Sequence, residues 1–441
     1  MNAVDARNVV LLGRKRWRRT RLNRKHLVRI LIATKNFPPR TCGVGDYAFR
    51  LAETLAAAGE FVVVLTESAD GPRHMAIGLR EQSLGGWMDF KATLRHIRAA
   101  SPDRLQLEYS GYAWGRLGVS WWLNAVLFKV RSQGIAVHIG LHESAISMRQ
   151  HPLQIPVALA QWLHVGLLLA AAETVSLNMQ SRVDILGRAF PWWRSKLRYR
   201  PNSSNIPVVP ISDTEREAIR RTNGVKDGER VIATFGMFHT AKRYEAVIEA
   251  VSRCREKSLK LWMLGETDNA PAGYLARMRQ TARTFGIDDR VCWPGRMEAV
   301  DISRMLQAAD VFVLPQADGQ VTRSGSFMAA AAHGLPVIAV RAANERDQSA
   351  FTHGGNVWFV EHATAEAFAA ALDTLLDDAA AARGIGDSLR QLYKDRYDWP
   401  NVLESFGAKK APAAGDTAGG RAISARVNSA ANAAHAGGAK R

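Results

Sequence analysis

The chain alternates short apolar runs with stretches whose apolar positions recur every three to four residues. Residues 26–34 are rich in Leu, Val and Ile and predict a buried strand. After a polar loop, Tyr47, Ala48, Leu51, Ala52, Leu55 and Ala56 fall on one helical face. Gly59 ends that helix, and residues 61–65 begin the next strand. Residues 105–107, 136–141 and 174–177 predict further short strands between helical segments. Strands buried on both faces read as continuous apolar runs, so the pattern predicts a parallel sheet flanked by helices.

The pattern then restarts. Residues 200–210 hold Pro201, Pro207 and Pro210 and predict a linker or crossover. Strands follow at 231–235, 259–264, 310–314 and 336–340, with helices at 244–255, 300–308 and 326–333 and turns at Gly265 and Gly334. Two doubly wound halves in series make a two-lobed α/β protein, whose ligands meet at the carboxyl ends of the strands, in the cleft between lobes.

Composition adds two points. The 441 residues carry 59 Lys/Arg against 41 Asp/Glu, a formal charge of +18. Residues 1–29 account for +9 and residues 408–441 for +5, so the body holds only +4. The basic character belongs to two tails, which weakens a nucleic-acid reading of the whole chain. The head is either a solvated leader or a segment drawn to an anionic membrane face. The Ala/Gly-rich tail is low-complexity and reads as disordered. Residues 155–172 approach bilayer-spanning length, but Pro156, Gln161 and His164 and the lack of a flanking basic cluster predict a buried or surface-docked helix. Cys42, Cys254 and Cys292 form no pair with metal or disulfide spacing, which points to a reducing compartment.

Three loops carry candidate chemistry. The first strand leads into Gly43-Val-Gly45-Asp46, where the glycines permit close backbone approach and Asp46 is placed to cap the next helix. Such a turn either offers amides to an anion or sugar hydroxyl or is simply tight. In the second half, Lys242 lies between a strand and a helix, either aimed at a phosphate or exposed at a helix start. The loop Asp318-Gly319 through Arg323-Ser324-Gly325-Ser326 enters an alanine-rich helix. The amides of Ser324, Gly325 and Ser326 there form a diphosphate cradle, with Arg323 as a mobile counter-charge.

These motifs together resemble the retaining family-four glycosyltransferases of GT-B fold, the bacterial polysaccharide and envelope type. The resemblance covers residues 28–406. It is carried by Phe37-Pro-Pro-Arg…Gly-Val-Gly-Asp-Tyr, Leu141-His-Glu143, Asn205-Ile-Pro-Val and Phe235-Gly…Lys242, together with Trp293-Pro-Gly295 and Ala309-Asp-Val…Asp-Gly…His-Gly-Leu-Pro-Val-Ile.

The resemblance implies a GT-B architecture of two Rossmann-like domains. A basic leader spans 1–26, an acceptor-side domain 27–208 and a nucleotide-sugar domain 209–388. A helix at 389–407 returns to the first domain, and a disordered tail spans 408–441. It implies that Lys242 neutralises the donor diphosphate, that His142 lies beside the transferred sugar and that Gly43, Gly45 and Asp46 face donor and acceptor. Gly295 lies on the base side. Two departures mark a subgroup. Ala329 stands where the family's Glu-x7-Glu pair has its second glutamate, with Asp318 in place of the first. Met237 replaces a common arginine, for which Arg323 substitutes.

The function implied is transfer of a sugar, with retention, from a nucleotide-diphospho-sugar to a lipid-linked or saccharide acceptor. No cofactor and no metal are expected, since Asp-x-Asp is absent from the chain. The protein is expected in the cytoplasm or on the inner face of the cell membrane, held to anionic lipid by its leader, with no nucleic-acid partner. The rival reading is a catalytically silent sugar-nucleotide-binding or scaffold protein.

Overall fold

The computed structural model describes residues 28–406, except 39, 41, 68–78, 84–89, 144–154, 266–269, 320 and 405. The basic leader 1–26 and the tail 408–441 lie outside the described residues.

The first lobe is built on β1 (Arg29–Thr34), β2 (Phe61–Thr66), β3 (Leu79–Ser83), β4 (Arg104–Tyr109), β5 (Ala136–Leu141), β6 (Thr174–Leu177) and β7 (Leu197–Tyr199). They form one parallel sheet in the order β3-β2-β1-β4-β5-β6-β7. The second lobe is built on β8 (Arg230–Phe235), β9 (Leu259–Leu264), β10 (Val291–Cys292), β11 (Val311–Leu314), β12 (Val337–Val340) and β13 (Trp358–Val360). Its order is β10-β9-β8-β11-β12-β13, again all parallel. Strand β2 is apolar and buried from Val62 to Leu65, as a sheet covered on both faces requires. The strand order reverses between β1 and β4 in one sheet and between β8 and β11 in the other, and loops leaving those strands open a crevice.

The helix after β1, Gly43–Ala57, buries Tyr47, Ala48, Leu51, Ala52, Leu55 and Ala56, the predicted face. It starts earlier than expected, because both glycines accept helical geometry. The N-cap is Cys42, with no side-chain cap bond, so Asp46 lies inside the first turn and is not the cap.

Two segments cross between the lobes. The 200–210 crossover leads from the first sheet to the second, and the chain returns near Tyr397. The return is not the single helix expected at 389–407. A helix Ala379–Arg396 belongs to the second lobe, and a short helix Trp399–Glu404 packs on the first. Pro400 cannot sit in a helix interior, and Asp398 Oδ1 accepts from the Trp399 amide at 2.8 Å, so the chain breaks and restarts there. Trp399, Val402, Leu403 and Phe406 then join the core of Ile30, Tyr47 and Leu51.

Candidate active site

The second lobe supplies a cationic corner from the two loops that flank its strand reversal. β8 ends at Phe235, and Gly236 follows with φ +137°, a conformation open to glycine. A Cβ on Gly236 would lie 2.5 Å from Lys242 Nζ and 2.7 Å from Ser326 Oγ, so the missing side chain is what lets these two groups converge. Lys242 sits in a 3₁₀ turn, Thr240–Lys242, whose start is capped by His239 Nδ1 accepting from the Ala241 amide. Among the described residues no carboxylate pairs with Lys242. Burial, reinforced by the charge of Arg323, pushes its ammonium down to about 8.

β11 leads through Asp318 and a 3₁₀ turn, Val321–Arg323, into the helix Gly325–Ala332. This geometry corrects one expectation. The Ser324 amide donates to Val321 O at 3.0 Å, closing the 3₁₀ turn, and Ser324 Oγ accepts from the Phe327 amide at 3.2 Å. Ser324 is the helix N-cap, and the first free amides are those of Gly325 and Ser326. Arg323 is not a free counter-charge either: its Nη2 donates to Asp318 Oδ2 at 2.6 Å, while Gln316 holds Asp318 Oδ1 at 2.7 Å. Ala329 is fully buried in the core beneath this helix, and its carbonyl accepts from His333 Nδ1 at 2.7 Å. A carboxylate at that position would have to be buried. Met237 is exposed, and Gly295 is half-buried with nothing within 4 Å of where a Cβ would lie.

In the first lobe, His142 follows β5 and donates from Nε2 to Glu108 Oε2 at 2.7 Å. Glu108 is completely buried at the end of β4. Burial alone would raise its pKa, but His142, Arg200 and Gln106 together hold it below the usual carboxylate range. Gln106 Nε2 donates to Oε1 at 2.9 Å, and Arg200 Nη2 lies 3.8 Å from the same oxygen. Gly140 makes room for the cluster, since a Cβ there would lie 2.2 Å from Glu108 Oε2. Tyr47 packs edge-on to the His142 ring at 5.2 Å, and Arg182 Nη1 donates to the His142 carbonyl at 2.7 Å.

The Gly43–Asp46 turn faces this arrangement unevenly. A Cβ on Gly45 would lie 2.6 Å from Asn36 O, so Gly45 is the close-packed member, whereas Gly43 opens on empty space. The Gly43 carbonyl accepts from Asn205 Nδ2 at 3.3 Å, and Asn205 also lies beside Gly325. Asn202 Nδ2 donates to Arg323 O at 2.7 Å. The crossover thus joins the first-lobe turn to the second-lobe cradle. Also between the lobes, Asp347 accepts from the Ser181 amide at 2.8 Å, and Arg346 pairs with Asp184 at 2.7 Å. These contacts set Arg182 where the charges of Arg323, Glu143, Asp347 and Asp318 reach it.

The structure therefore gathers Lys242, Ser326, Gly325, Arg323 and Asp318 on one wall and His142 on the other, with the Gly43 turn tied to the crossover between them. Glu108, Arg182 and Arg200 were not among the expected site residues. A lone carboxylate ending the apolar run Leu105-Gln-Leu-Glu108 was the available signal for the first of them.

Two Rossmann-like lobes, reversing strand order at facing positions, make the GT-B fold of glycosyltransferases. Residues 229–378, the segment that carries the cationic wall, match the family described as Glycosyl transferases group 1. Over 34% of this chain the sequence is 29% identical to mannosylfructose-phosphate synthase of Agrobacterium fabrum, covering 34% of that protein. Over 51% it is 26% identical to D-inositol 3-phosphate glycosyltransferase of Mycobacterium marinum, covering 48% of it. The matched segments thus span a third to a half of these curated relatives. The fold covers far more: the crystal structure of HepE from Anabaena in complex with UDP-glucose superposes with a TM-score of 0.65 at 16% identity, over 86% of this chain and 98% of that one.

Proposed function

We propose that the protein transfers a sugar, with retention and without a metal, from a nucleotide-diphospho-sugar to a lipid-linked or saccharide acceptor. The observation that carries this is the convergence of Lys242 Nζ and Ser326 Oγ over Gly236, beside the free amides of Gly325 and Ser326. Such a corner stabilises an anionic leaving group by charge and preorganised donors. The UDP-glucose in HepE and the sugar-transferring names of the relatives support the same reading.

In this reaction the anomeric carbon–oxygen bond to the diphosphate breaks as a bond to the acceptor oxygen forms on the same face. The acceptor proton passes to the departing phosphate oxygen. Lys242 and Ser326 hold that phosphate. Asp318, oriented by Arg323, accepts from sugar hydroxyls, and His142 lines the opposite wall. The protein works on the cytoplasmic side, with the leader drawn to anionic lipid.

The silent-binder reading draws on the burial of Ala329 and the apolar Met237. Donor turnover with purified protein separates the two. UDP-, GDP- and ADP-sugars are offered with and without EDTA, to wild type and to Lys242→Ala. Turnover that survives EDTA and is lost with Lys242 supports the proposal. Tight nucleotide binding without turnover favours the silent protein, and unchanged turnover in the variant removes the diphosphate assignment.

A further inference from the structure

The short helix Trp399–Glu404 begins with one buried aromatic ring, and a second, Phe406, follows just past its end. The chain reaches this segment from the second lobe, yet both rings are buried in the first. Burial alone could be met by other apolar residues of similar volume. These two rings are placed more specifically, since each touches a residue that leads to His142.

Trp399 reaches the imidazole through Tyr47. The Trp399 and Tyr47 rings lie 5.2 Å apart at 38°, and Tyr47 meets the His142 ring edge-on, also at 5.2 Å. Trp399 is itself fixed, because its Nε1–H donates to Ser204 O at 2.8 Å. Aromatic pairs favour offset and edge-on arrangements, so Tyr47 is placed by one neighbour and places the other. Burial pushes the Tyr47 hydroxyl up to about 12, so it presents a neutral ring to His142.

Phe406 reaches the same residue through Arg200. The guanidinium lies over the Phe406 ring, with Cζ 4.4 Å from its centroid. The Phe406 carbonyl accepts from Arg104 Nη1 at 2.7 Å, which ties down the end of the segment. Arg200 is buried, and its Nη2 lies 3.8 Å from Glu108 Oε1, too far for a hydrogen bond. Stacking on Phe406 supplies the hold that a bond to the carboxylate does not. A fully buried carboxylate needs its counter-charge in place to stay ionised. Only an ionised Glu108 gives the His142 Nε2–H a charged acceptor.

We propose that Trp399 and Phe406 are positioning residues for His142, setting its ring from two directions, one through Tyr47 and one through Arg200 and Glu108. The inference rests on the reading, given above, of His142 as part of the transfer site. The segment enters from the second lobe, so the orientation of a first-lobe side chain is fixed by chain that the nucleotide-side lobe delivers. Plain core packing predicts that Phe406→Leu costs stability and nothing else. Positioning predicts that the imidazole loosens while both lobes stay folded.

Histidine ring NMR on the isotope-labelled full chain, without substrate, tests it, with His142 assigned by the signal lost in His142→Gln. Wild type is expected to show a fixed tautomer protonated at Nε2, with that proton protected from exchange. In Phe406→Leu and in Trp399→Leu the Nε2–H signal is expected to broaden or vanish. Phe406→Tyr and Trp399→Phe, which keep a ring in each place, are expected to restore it. Arg200→Lys keeps the charge beside Glu108 but not the flat face, and is expected to loosen the ring as Phe406→Leu does, so the test does not depend on the folding of one variant. With whichever UDP-, GDP- or ADP-sugar the wild type turns over, kcat of Phe406→Leu is expected to fall about 10-fold with nucleotide affinity unchanged. A mobile ring in wild type, or His142 signals unchanged in Phe406→Leu, Trp399→Leu and Arg200→Lys, overturns the inference. A lower melting temperature with the ring signature intact makes the segment core packing alone and also overturns it. A ring loosened by these substitutions in a protein that turns over no donor supports the positioning and removes the transfer reading.

Discussion

His142 Nε2 donates 2.7 Å to Glu108, a carboxylate with no solvent exposure at the end of a central strand. This bond fixes the ring so that Nδ1 is left for other partners. Glu108→Gln removes the acceptor charge, leaves Arg200 without its partner and frees the ring. The expected result is a loss of about 2–4 kcal/mol in unfolding free energy and a lower kcat with nucleotide affinity retained. Denaturant titration and turnover assays read the two effects. Because Glu108 is held below the ordinary carboxylate range, its contribution is present above that range and lost as pH falls toward its own pKa. The variant therefore loses stability less steeply than wild type on acidification.

Lys242→Ala is expected to weaken nucleoside-diphosphate binding by about 10–150-fold, the range of a charged hydrogen bond. Ser326→Ala, losing a neutral one, is expected to cost about 3–10-fold. Calorimetric titration with UDP, GDP and ADP measures both. Folding stability of Lys242→Ala should not fall, because the desolvated ammonium has no carboxylate partner among the described residues to lose.

Free Lys242 titrates at about 8. An anionic ligand binds the protonated form, so affinity is expected to decline as pH rises through that value, by up to tenfold per unit, with proton uptake on binding. Affinities in buffers of different ionisation enthalpy check this. A flat profile from pH 7 to 10, or an unchanged slope in Lys242→Met, contradicts it.

Gly236→Ala places a methyl group 2.5 Å from Lys242 Nζ at φ +137°. Strain of about 1–3 kcal/mol and displacement of the ammonium are both expected. The signature is a lower melting temperature together with nucleotide affinity reduced as far as in Lys242→Ala. Gly295→Ala has open space around it but also sits at positive φ, so it should cost stability without touching the diphosphate.

The layered α/β architecture was legible because both sheets are buried on two faces, and most of their central strands are rich in Val, Ile and Leu. The strands that escaped the pattern, β3, β7, β10 and β13, are all at sheet edges, where short or polar segments such as Leu79–Ser83 suffice. Loop chemistry was half legible. Lys242 and Ser326 stand out as residue types at strand exits, and the structure brings them together. That Ser324 caps a helix and that Arg323 is paired with Asp318 depend on one intervening 3₁₀ turn, which no periodicity announces. Glu108 and Arg182 act across long sequence separations, and only tertiary packing brings them to His142.

The outgoing and returning crossovers are bonded to each other: Tyr393 OH meets Ser203 Oγ at 3.1 Å, and Trp399 Nε1 donates to Ser204 O at 2.8 Å. Two bodies joined at adjacent pins keep one easy rotation, about the line through the pins, as a door does. A rotation about that line would carry the wall of Lys242 against the wall of His142, and it would have to part the Ser181–Asp347 and Asp184–Arg346 contacts to do so.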